Sequence, residues 1–306
     1  MFSFLPRWLP GVLAAVVTAS GQAPPAAAPQ KASVSGTAPA LGRPVLIGHA
    51  GSGFFTLLRP FNPLPPSSLR SLTRALDRGA EGVEVDLRLS QDSVVVLYHN
   101  ETLESMSTGT GYVSQTPAAV LQQLRYRGGW PYDWFQHEHL ITFETLLAVL
   151  AKRGEMPYLH LDLHEDDAAA TNNVVRSHAL IRGLVQVLER YQVPAARVLV
   201  ITNRAATLRY VQALRPALPR GLELTGGFDA EYPQARLAPV QAVVLRKSDV
   251  SPARVAEVHA NGQQVVVFGG RSARAVARVV ACRPDAYEVD NVRQLRATLR
   301  RQQSAN

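Results

Sequence analysis

The chain of 306 residues has a single cysteine, Cys282, and this scarcity excludes several kinds of architecture. One thiol forms no internal disulfide framework and supplies no zinc site built from several cysteines. No cysteine stands near the start, so a lipoprotein-type lipid anchor is excluded as well. With 46% hydrophobic and 18% charged residues, the chain has the composition of a globular protein with an apolar core.

The sequence also lacks any basic block interleaved with aromatic residues. Its net charge is +8 and its pI is about 10.0, but the basic excess is mostly arginine spread over helix-like segments. This distribution does not predict nucleic-acid binding. A diffuse positive field still attracts anionic substrates.

Long apolar runs are absent beyond the N-terminal region, so no later segment is expected to span a membrane. The opening stretch, MFSFLPRWLPGVLAAVVTASGQA, has one arginine, then about ten apolar residues, then small residues. This order predicts a signal peptide over residues 1–23, cleaved between Ala19 and Ala23, and a secreted or periplasmic protein. The alternative is an uncleaved N-terminal anchor. The proline- and alanine-rich composition of residues 24–43 predicts a disordered linker.

From residue 44 to residue 303, short apolar runs alternate with segments of helical period, which predicts a single folded domain. About eight strand–helix units suit a (β/α)8 TIM barrel with parallel strands. The alternative is a doubly wound open sheet. The segment GHAGSGFF lacks the spacing of a dinucleotide-binding loop, because a proline-rich loop follows it instead of a helix.

Individual segments carry predictions that the fold tests. SSLRSLTRALDRGA predicts a helix capped by Ser67 or Ser68, and TPAAVLQQLRY predicts a helix over 116–126. Strands are predicted at 222–227 and 242–246, with no helix between them.

Two acids, Glu84 and Asp86, lie two residues apart in the predicted second strand, GVEVDLRL. Side chains with this spacing share one face of a strand. Two carboxylates on a buried face are costly unless a partner offsets their charge. A divalent cation with oxygen ligands is such a partner. The alternative is pairing with arginines such as Arg88.

Other polar residues stand where predicted strands end, which in a TIM barrel is the rim that carries the chemistry. Their convergence from separate strands predicts one active site. Taken singly, His160 is equally well explained as a core histidine, and Asp290 as the N-cap of the last helix. The positions are His49, His99, the set His160, Asp162 and His164 on one strand face, Lys247, and Asp290.

Five motifs follow one another along the chain. They are GHAG at 48–51, PPSSL at 65–69, GVEVDLRLSQDSVVVLYHNETLESMSTGTGYV at 82–113, LHLDLH at 159–164 and DAYEVDN at 285–291. Together they resemble the glycerophosphodiester phosphodiesterases, from residue 44 into the last helix. The resemblance implies a TIM barrel of the phospholipase-C-like phosphodiesterase type and an enzyme that hydrolyses glycerophosphodiesters to glycerol 3-phosphate and an alcohol.

The resemblance also implies residue roles. Glu84 and Asp86 match the metal-binding Glu-x-Asp of the family, and Asp162 matches its third carboxylate, one methylene shorter. His49 and His99 match the two histidines of acid–base catalysis. The implied cofactor is a divalent metal, Ca²⁺ or Mg²⁺, which suits three carboxylates.

Four positions depart from the family pattern. Ala50 stands where the family has an arginine that grips phosphate, and Ser67 where it has a glutamate. Asn100 replaces the usual aspartate, and His164 the usual lysine. We expect His164 and Lys247 to bind the substrate phosphate in their place.

Two other functions remain open from the sequence. One is a phospholipase of type C or D acting on intact or lyso phospholipids, and the other is an inactive barrel that binds phosphodiesters. The aromatic stretch GGWPYDWFQHEH (128–139) is either a transient membrane-surface contact or a packed wall of the pocket. The expected partner is a small glycerophosphodiester, and the oligomeric state is not predicted.

Overall fold

Short apolar strands alternate with helices through the described part of the chain, which in this computed structural model comprises residues 43–57, 61–169 and 174–304. The predicted signal peptide and nearly all of the predicted linker lie outside the described residues. The described residues fall within one compact unit, residues 36–306. Within them, no helix combines the length and the apolar character needed to cross a bilayer.

The described strands form a closed barrel. They are β1 (Val45–Gly48), β2 (Gly82–Leu89), β3 (Val95–Leu97), β4 (Tyr158–Leu163), β5 (Val198–Thr202), β6 (Arg220–Glu223), β7 (Ala242–Arg246), β8 (Gln264–Phe268) and β9 (Ala286–Val289). Eight described strands run parallel, and β1 closes the ring by pairing with β2 on one side and β9 on the other. The predicted parallel barrel is confirmed, and the open doubly wound sheet is wrong.

Helices cover the outside of the barrel. An apolar layer of buried side chains from strands and helices fills the space between the helices and the barrel. They are α1 (Leu69–Asp77), α2 (Ala118–Leu121), α3 (Phe143–Leu150), α4 (Val174–Arg190), α5 (Ala205–Leu214), α6 (Phe228–Ala235), α7 (Pro252–Ala260), α8 (Ala273–Ala281) and α9 (Val292–Gln303). Short 3₁₀ turns lie at Leu103–Ser105, Val113–Gln115, Tyr132–Trp134, Ala151–Arg153 and Ala195–Arg197. The predicted cap of α1 is confirmed at Ser68, whose hydroxyl accepts from the Ser71 N–H.

Two helix predictions differ from the structure. The helix predicted over 116–126 is limited to α2, because the chain beyond it pairs with a later segment. There the N–H of Tyr126 donates to the Glu138 carbonyl, and the N–H of Leu140 to the Leu124 carbonyl. The structure also has α6 between β6 and β7, where no helix was predicted. Pro233 lies inside α6. Because proline has no backbone N–H, it is disfavoured in helix interiors, and the sequence therefore does not predict a helix here.

β3 stands outside the ring, antiparallel to β2, and begins an excursion (residues 95–142) that returns to the barrel at α3. The excursion has its own apolar cluster, separate from the one around the barrel. Tyr98 and Tyr126 stack within it, with ring centroids 5.9 Å apart. The excursion carries His99 at the end of β3, next to the rim formed by the carboxyl ends of the barrel strands.

Candidate active site

Three carboxylates from two neighbouring strands meet at the rim. The parallel register of β2 and β4 places Asp86 beside Asp162, while Glu84 stands two residues earlier on the same strand face. Each of the three offers an oxygen, and these oxygens lie within 4.8 Å of one another. The structure thus brings together the acids that the sequence singled out.

Hydrogen bonds reach this carboxylate cluster from the protein but do not complete it. Asp86 accepts from the Ser67 hydroxyl at 2.7 Å and contacts His164 Nε2 at 3.0 Å. Glu84 Oε2 accepts from the Ala50 N–H at 2.5 Å, whereas Glu84 Oε1 is buried without a hydrogen-bond partner. An orphaned carboxylate oxygen beside two further acids is an arrangement that fits a cation.

The electrostatics of the carboxylate cluster agree with its geometry. Burial raises the pKa of Glu84 well above its usual value, and the charge of Asp86 raises it further. Burial also acts against the charge of Asp86, but the hydrogen bond and the charge of His164 hold the pKa of Asp86 well below its usual value. In the absence of a cation, Glu84 is therefore the acid that takes up a proton.

His49 follows β1 and is paired with an acid at the far end of the chain. Its Nδ1 lies 2.7 Å from Asp290 Oδ1. Burial lowers the pKa of His49, but the hydrogen bond and charge of Asp290 outweigh it and raise the pKa to about 9. The alternative role of Asp290 as a helix cap is wrong, because the Asn291 side chain caps α9 instead.

His99 faces the same rim from the excursion. Its Nδ1 lies 2.6 Å from Asn100 Oδ1, and because an amide oxygen only accepts, this contact is a hydrogen bond when Nδ1 carries a proton. In that tautomer Nε2 is the nitrogen available for proton transfer. The Phe54 ring contacts both histidines, with centroids 5.5 Å from His49 and 5.4 Å from His99. Both histidines therefore border one space at the rim.

His164 lies inside the cluster. Its Nε2 is 3.0 Å from Asp86 Oδ1 and 3.3 Å from Asp162 Oδ2. Burial lowers the pKa of His164, but the charges and hydrogen bonds of the two acids raise it to about 10. Asp86, His99 and His164 form a second group of potential metal ligands that shares Asp86 with the first.

The two positions that depart most from the family pattern still serve the carboxylates. Ala50 and Ser67 are both buried, and both have a left-handed backbone, with φ of 42° and 54°. Non-glycine residues in this conformation are uncommon and concentrate at functional sites. Here the backbone of Ala50 and the hydroxyl of Ser67 donate to Glu84 and Asp86.

Lys247 is placed apart from this group. It is exposed after β7, and its N–H donates to the Phe268 carbonyl. Among the described residues, no hydrogen bond or ion pair joins its ammonium to the carboxylate cluster. Its predicted phosphate contact stays a prediction.

The sequence analysis did not single out two acids of the site region, Glu223 and Glu288, and it did not find the acidic partner of His160. His160 is buried, and its Nδ1 lies 2.6 Å from Glu288 Oε1. Glu223, on β6, has a pKa raised to about 7 by burial and by the charges of Asp162 and Glu288. A signal for Glu288 was present, since YEVD at 287–290 repeats the Glu-x-Asp spacing of VEVD at 83–86.

Comparison with known proteins yields one consistent family. A model described as "Glycerophosphoryl diester phosphodiesterase family" matches residues 61–294. A Mycobacterium tuberculosis protein named "Probable glycerophosphodiester phosphodiesterase 1" is 29% identical over 192 residues, 58% of this chain and 63% of that protein. The match therefore spans less than two thirds of that relative's length.

Solved structures share the fold. An Oleispira antarctica phosphodiesterase in complex with the product sn-glycerol-3-phosphate superposes with a TM-score of 0.70 at 23% identity, covering 84% of this chain and 97% of that one. A glycerophosphodiester phosphodiesterase from Agrobacterium tumefaciens gives a TM-score of 0.65 at 18% identity, covering 83% and 99%. At such identities the likeness concerns the fold alone.

Proposed function

Because the chain belongs to the glycerophosphoryl diester phosphodiesterase family, we propose that it hydrolyses glycerophosphodiesters to glycerol 3-phosphate and an alcohol. The observation that carries the proposal is the cluster of Glu84, Asp86 and Asp162 beside His49 and His99 at one rim. The product bound to the Oleispira structure supports the substrate class.

The proposed cofactor is a divalent cation, Ca²⁺ or Mg²⁺, held by Glu84, Asp86 and Asp162. The buried, unpartnered Oε1 of Glu84 supports this assignment, because it is an oxygen without a donor beside two other acids. When bound, such a cation supplies positive charge against a phosphate oxygen and favours ionisation of a nearby hydroxyl. The donors from Ala50 and Ser67 fix two of the carboxylates in place.

The histidines divide the proton transfers. With its pKa raised to about 9 by Asp290, His49 is an imidazolium at neutral pH and donates a proton to the departing alcohol. His99, with the lone pair on Nε2, accepts the proton of the glycerol hydroxyl that attacks phosphorus. Water then opens the resulting cyclic phosphate, and the two histidines exchange roles.

The phosphate needs cationic partners other than the missing arginine at position 50. His164 lies beside the carboxylates, and without a cation the charges and hydrogen bonds of Asp162 and Asp86 raise its pKa to about 10. We therefore include His164 as a phosphate-binding residue, and Lys247, which follows β7, as a second candidate for the same role. Secretion, which the N-terminal residues predict, belongs to the same proposal, and sequencing the N-terminus of the exported protein tests it.

The decisive experiment measures glycerol 3-phosphate release from glycerophosphocholine and glycerophosphoethanolamine, with Ca²⁺, with Mg²⁺ and with EDTA. We expect release to require the metal and to be lost in Glu84→Gln and His99→Ala. Glu257→Gln, a change of the same kind on the exposed face of α7, is expected to retain full activity. A wild-type chain without release under either metal would contradict the proposal.

Two alternatives give different outcomes in the same assay. A phospholipase C or D would leave these soluble substrates intact and cleave lyso or intact phospholipids, and the exposed aromatic residues near the rim favour testing them. An inactive barrel would bind glycerophosphocholine in calorimetry without releasing any product.

A further inference from the structure

Four large aromatic side chains lie exposed on two loops beside the rim. We call them the aromatic ridge: Phe61 (38% exposed), Trp130 (74%), Trp134 (73%) and Phe135 (52%). The edge of Phe135 meets the Phe61 ring at a centroid distance of 5.3 Å, and Trp130 and Trp134 meet at 6.2 Å. An exposed cluster of this kind marks a surface that another apolar surface covers.

The ridge is held in place by packing beneath it. Tyr132 lies against Phe55, with centroids 5.0 Å apart, and a Cβ at Gly128 would fall 2.8 Å from the Phe55 ring. Asp133 accepts from the N–H groups of Gly128 and Gly129, which closes the loop on itself. The sequence left open a packed wall or a surface contact, and the structure gives Tyr132 the first role while exposing both tryptophans.

Charge around the ridge is complementary to an anionic surface. Arg125 and Arg127 are exposed on the loop that carries the tryptophans, and Arg70 is exposed in the first turn of α1 beside it. Two acids lie on the same loop: Asp133 accepts from backbone N–H groups, and Glu138 accepts from the Arg70 N–H and lies 3.8 Å from the Arg70 guanidinium. The three arginines therefore outnumber the two acids, and Arg125 and Arg127 add positive charge beyond the Arg70–Glu138 pair. Indole rings beside arginines are the composition that proteins place at the headgroup level of a bilayer.

The ridge is continuous with the active-site rim. Phe54, whose ring contacts His49 and His99, is followed directly by Phe55, which packs under Tyr132 in the ridge loop. A surface seated on the ridge would therefore lie next to the opening used by the phosphodiester.

We propose that the aromatic ridge docks on an anionic phospholipid surface and turns the active-site rim toward the headgroups. The docking requires no catalysis, so it is measured by binding alone and stands or falls separately from the hydrolytic activity. Its energy comes from burial of the two indole rings, and its preference for anionic lipid comes from the flanking arginines.

The test uses the chain from residue 24 onward, without the predicted signal peptide and its Trp8, which leaves Trp130 and Trp134 as the tryptophans. Vesicles are made of phosphatidylcholine alone or of equal parts phosphatidylcholine and phosphatidylglycerol, each with and without brominated acyl chains. We expect a blue-shifted emission and quenching by the brominated chains. Both effects should be stronger with phosphatidylglycerol and weaker at high salt.

Vesicle co-sedimentation then compares Trp130→Ala/Trp134→Ala with Leu237→Ala, an equally exposed apolar residue (75%) between α6 and β7. The double variant should partition about tenfold or more weakly, because each lost indole removes a buried apolar side chain. Leu237→Ala should partition like the parent, and thermal melting checks that both variants fold. Absent quenching, or unchanged partitioning of the double variant, would overturn the proposal. So would a dimer that the double variant abolishes without any vesicle binding.

Discussion

His49 and Asp290 show how the proposed chemistry depends on one contact between distant residues. They stand 241 positions apart in sequence, and 2.7 Å separates His49 Nδ1 from Asp290 Oδ1. Burial raises the pKa of Asp290, but the hydrogen bond and charge of His49 lower it to about 2, just as Asp290 raises the pKa of His49 to about 9. The pair is therefore ionised across neutral pH.

We predict that Asp290→Asn moves the alkaline limb of the kcat/KM profile to lower pH. The amide keeps an acceptor oxygen but removes the charge that holds the proton on His49, so the imidazolium is lost at lower pH. The measurement is the rate of glycerol 3-phosphate release as a function of pH. An alkaline limb at an unchanged pH would contradict the role of His49 as proton donor.

The same substitution has a stability signature with a defined sign. The folded pKa of His49, about 9, exceeds its usual value of 6.5, so its stabilisation is complete below 6.5 and is lost as pH rises through 9. Asp290 contributes above its usual pKa of 3.8 and loses this contribution as pH falls through about 2. We expect Asp290→Asn to lower the free energy of unfolding by about 2 kcal/mol between pH 3.8 and pH 6.5, where both contributions are complete. The difference should shrink progressively as pH rises toward 9. Urea titrations over this pH range measure the difference.

Ser67→Ala tests whether position 67 serves the carboxylate cluster. Loss of the buried hydroxyl removes a 2.7 Å bond to Asp86 and should cost about 1–3 kcal/mol of stability. It should also weaken Ca²⁺ binding in calorimetry, because Asp86 is then less firmly placed. Ser71→Ala is the matched control, since this buried hydroxyl bonds the backbone of Ser52 and Ala50 and no carboxylate. Equal Ca²⁺ affinity in the two variants would argue against the role.

At the residue scale the sequence predicted the acids better than their partners. The two-residue spacing of Glu84 and Asp86 is enough by itself to put them on one face of a strand. The contacts of His49 with Asp290 and of His160 with Glu288 depend on barrel closure, which brings β9 beside β1. No local sequence pattern encodes contacts between such distant residues. The sequence therefore indicated individual site residues but not which of them form pairs.

At the scale of elements, prediction succeeded where the period was clean and a cap was present. α1 begins after Ser68, whose hydroxyl accepts from the first helical turn. It failed for α6, where Pro233 interrupts the helical pattern. It also extended α2 too far, because Leu124 and Tyr126 form backbone hydrogen bonds with a later segment of the chain. The first error has a local cause, the proline, and the second has a tertiary one.

Pro233→Ala is predicted to stabilise the protein. An alanine N–H at this position can donate to the Asp229 carbonyl, and alanine favours the helix interior. Greater freedom of the unfolded chain offsets part of this gain, which leaves about 1–2 kcal/mol. Chemical denaturation measures the change, and activity should not alter because α6 lies on the outside of the barrel. A lower unfolding midpoint would show that the proline fits the helix without cost.

For the whole molecule, we expect the carboxylate cluster to link stability to pH and to the proposed metal. The folded pKa of Glu84 is raised, so its contribution is present below its usual value of 4.5 and is lost as pH rises through the folded value. The metal-free protein should therefore lose stability on the alkaline side, where the ionised acids repel one another.

Ca²⁺ is expected to offset that loss, so the rise in melting temperature on adding it should grow with pH. At about one hundred times the dissociation constant the rise should be about 5 °C or more. Asp162→Asn is expected to reduce the effect strongly, since it removes the negative charge of one of the three carboxylates. Equal rises in the wild type and in Asp162→Asn, or a rise independent of pH, would contradict the metal assignment.

Because the excursion has its own apolar cluster, we expect it to unfold separately from the barrel. β3 is joined to the ring through β2, and the side chains beneath the excursion form a cluster distinct from the barrel core. Such a segment can open in a sub-global step at a lower free energy than the barrel. His99 and most of the aromatic ridge lie on it, whereas His49 and the carboxylates lie on the barrel. Amide exchange should thus reach the neighbours of His99 first, and heating should abolish turnover while the barrel stays folded.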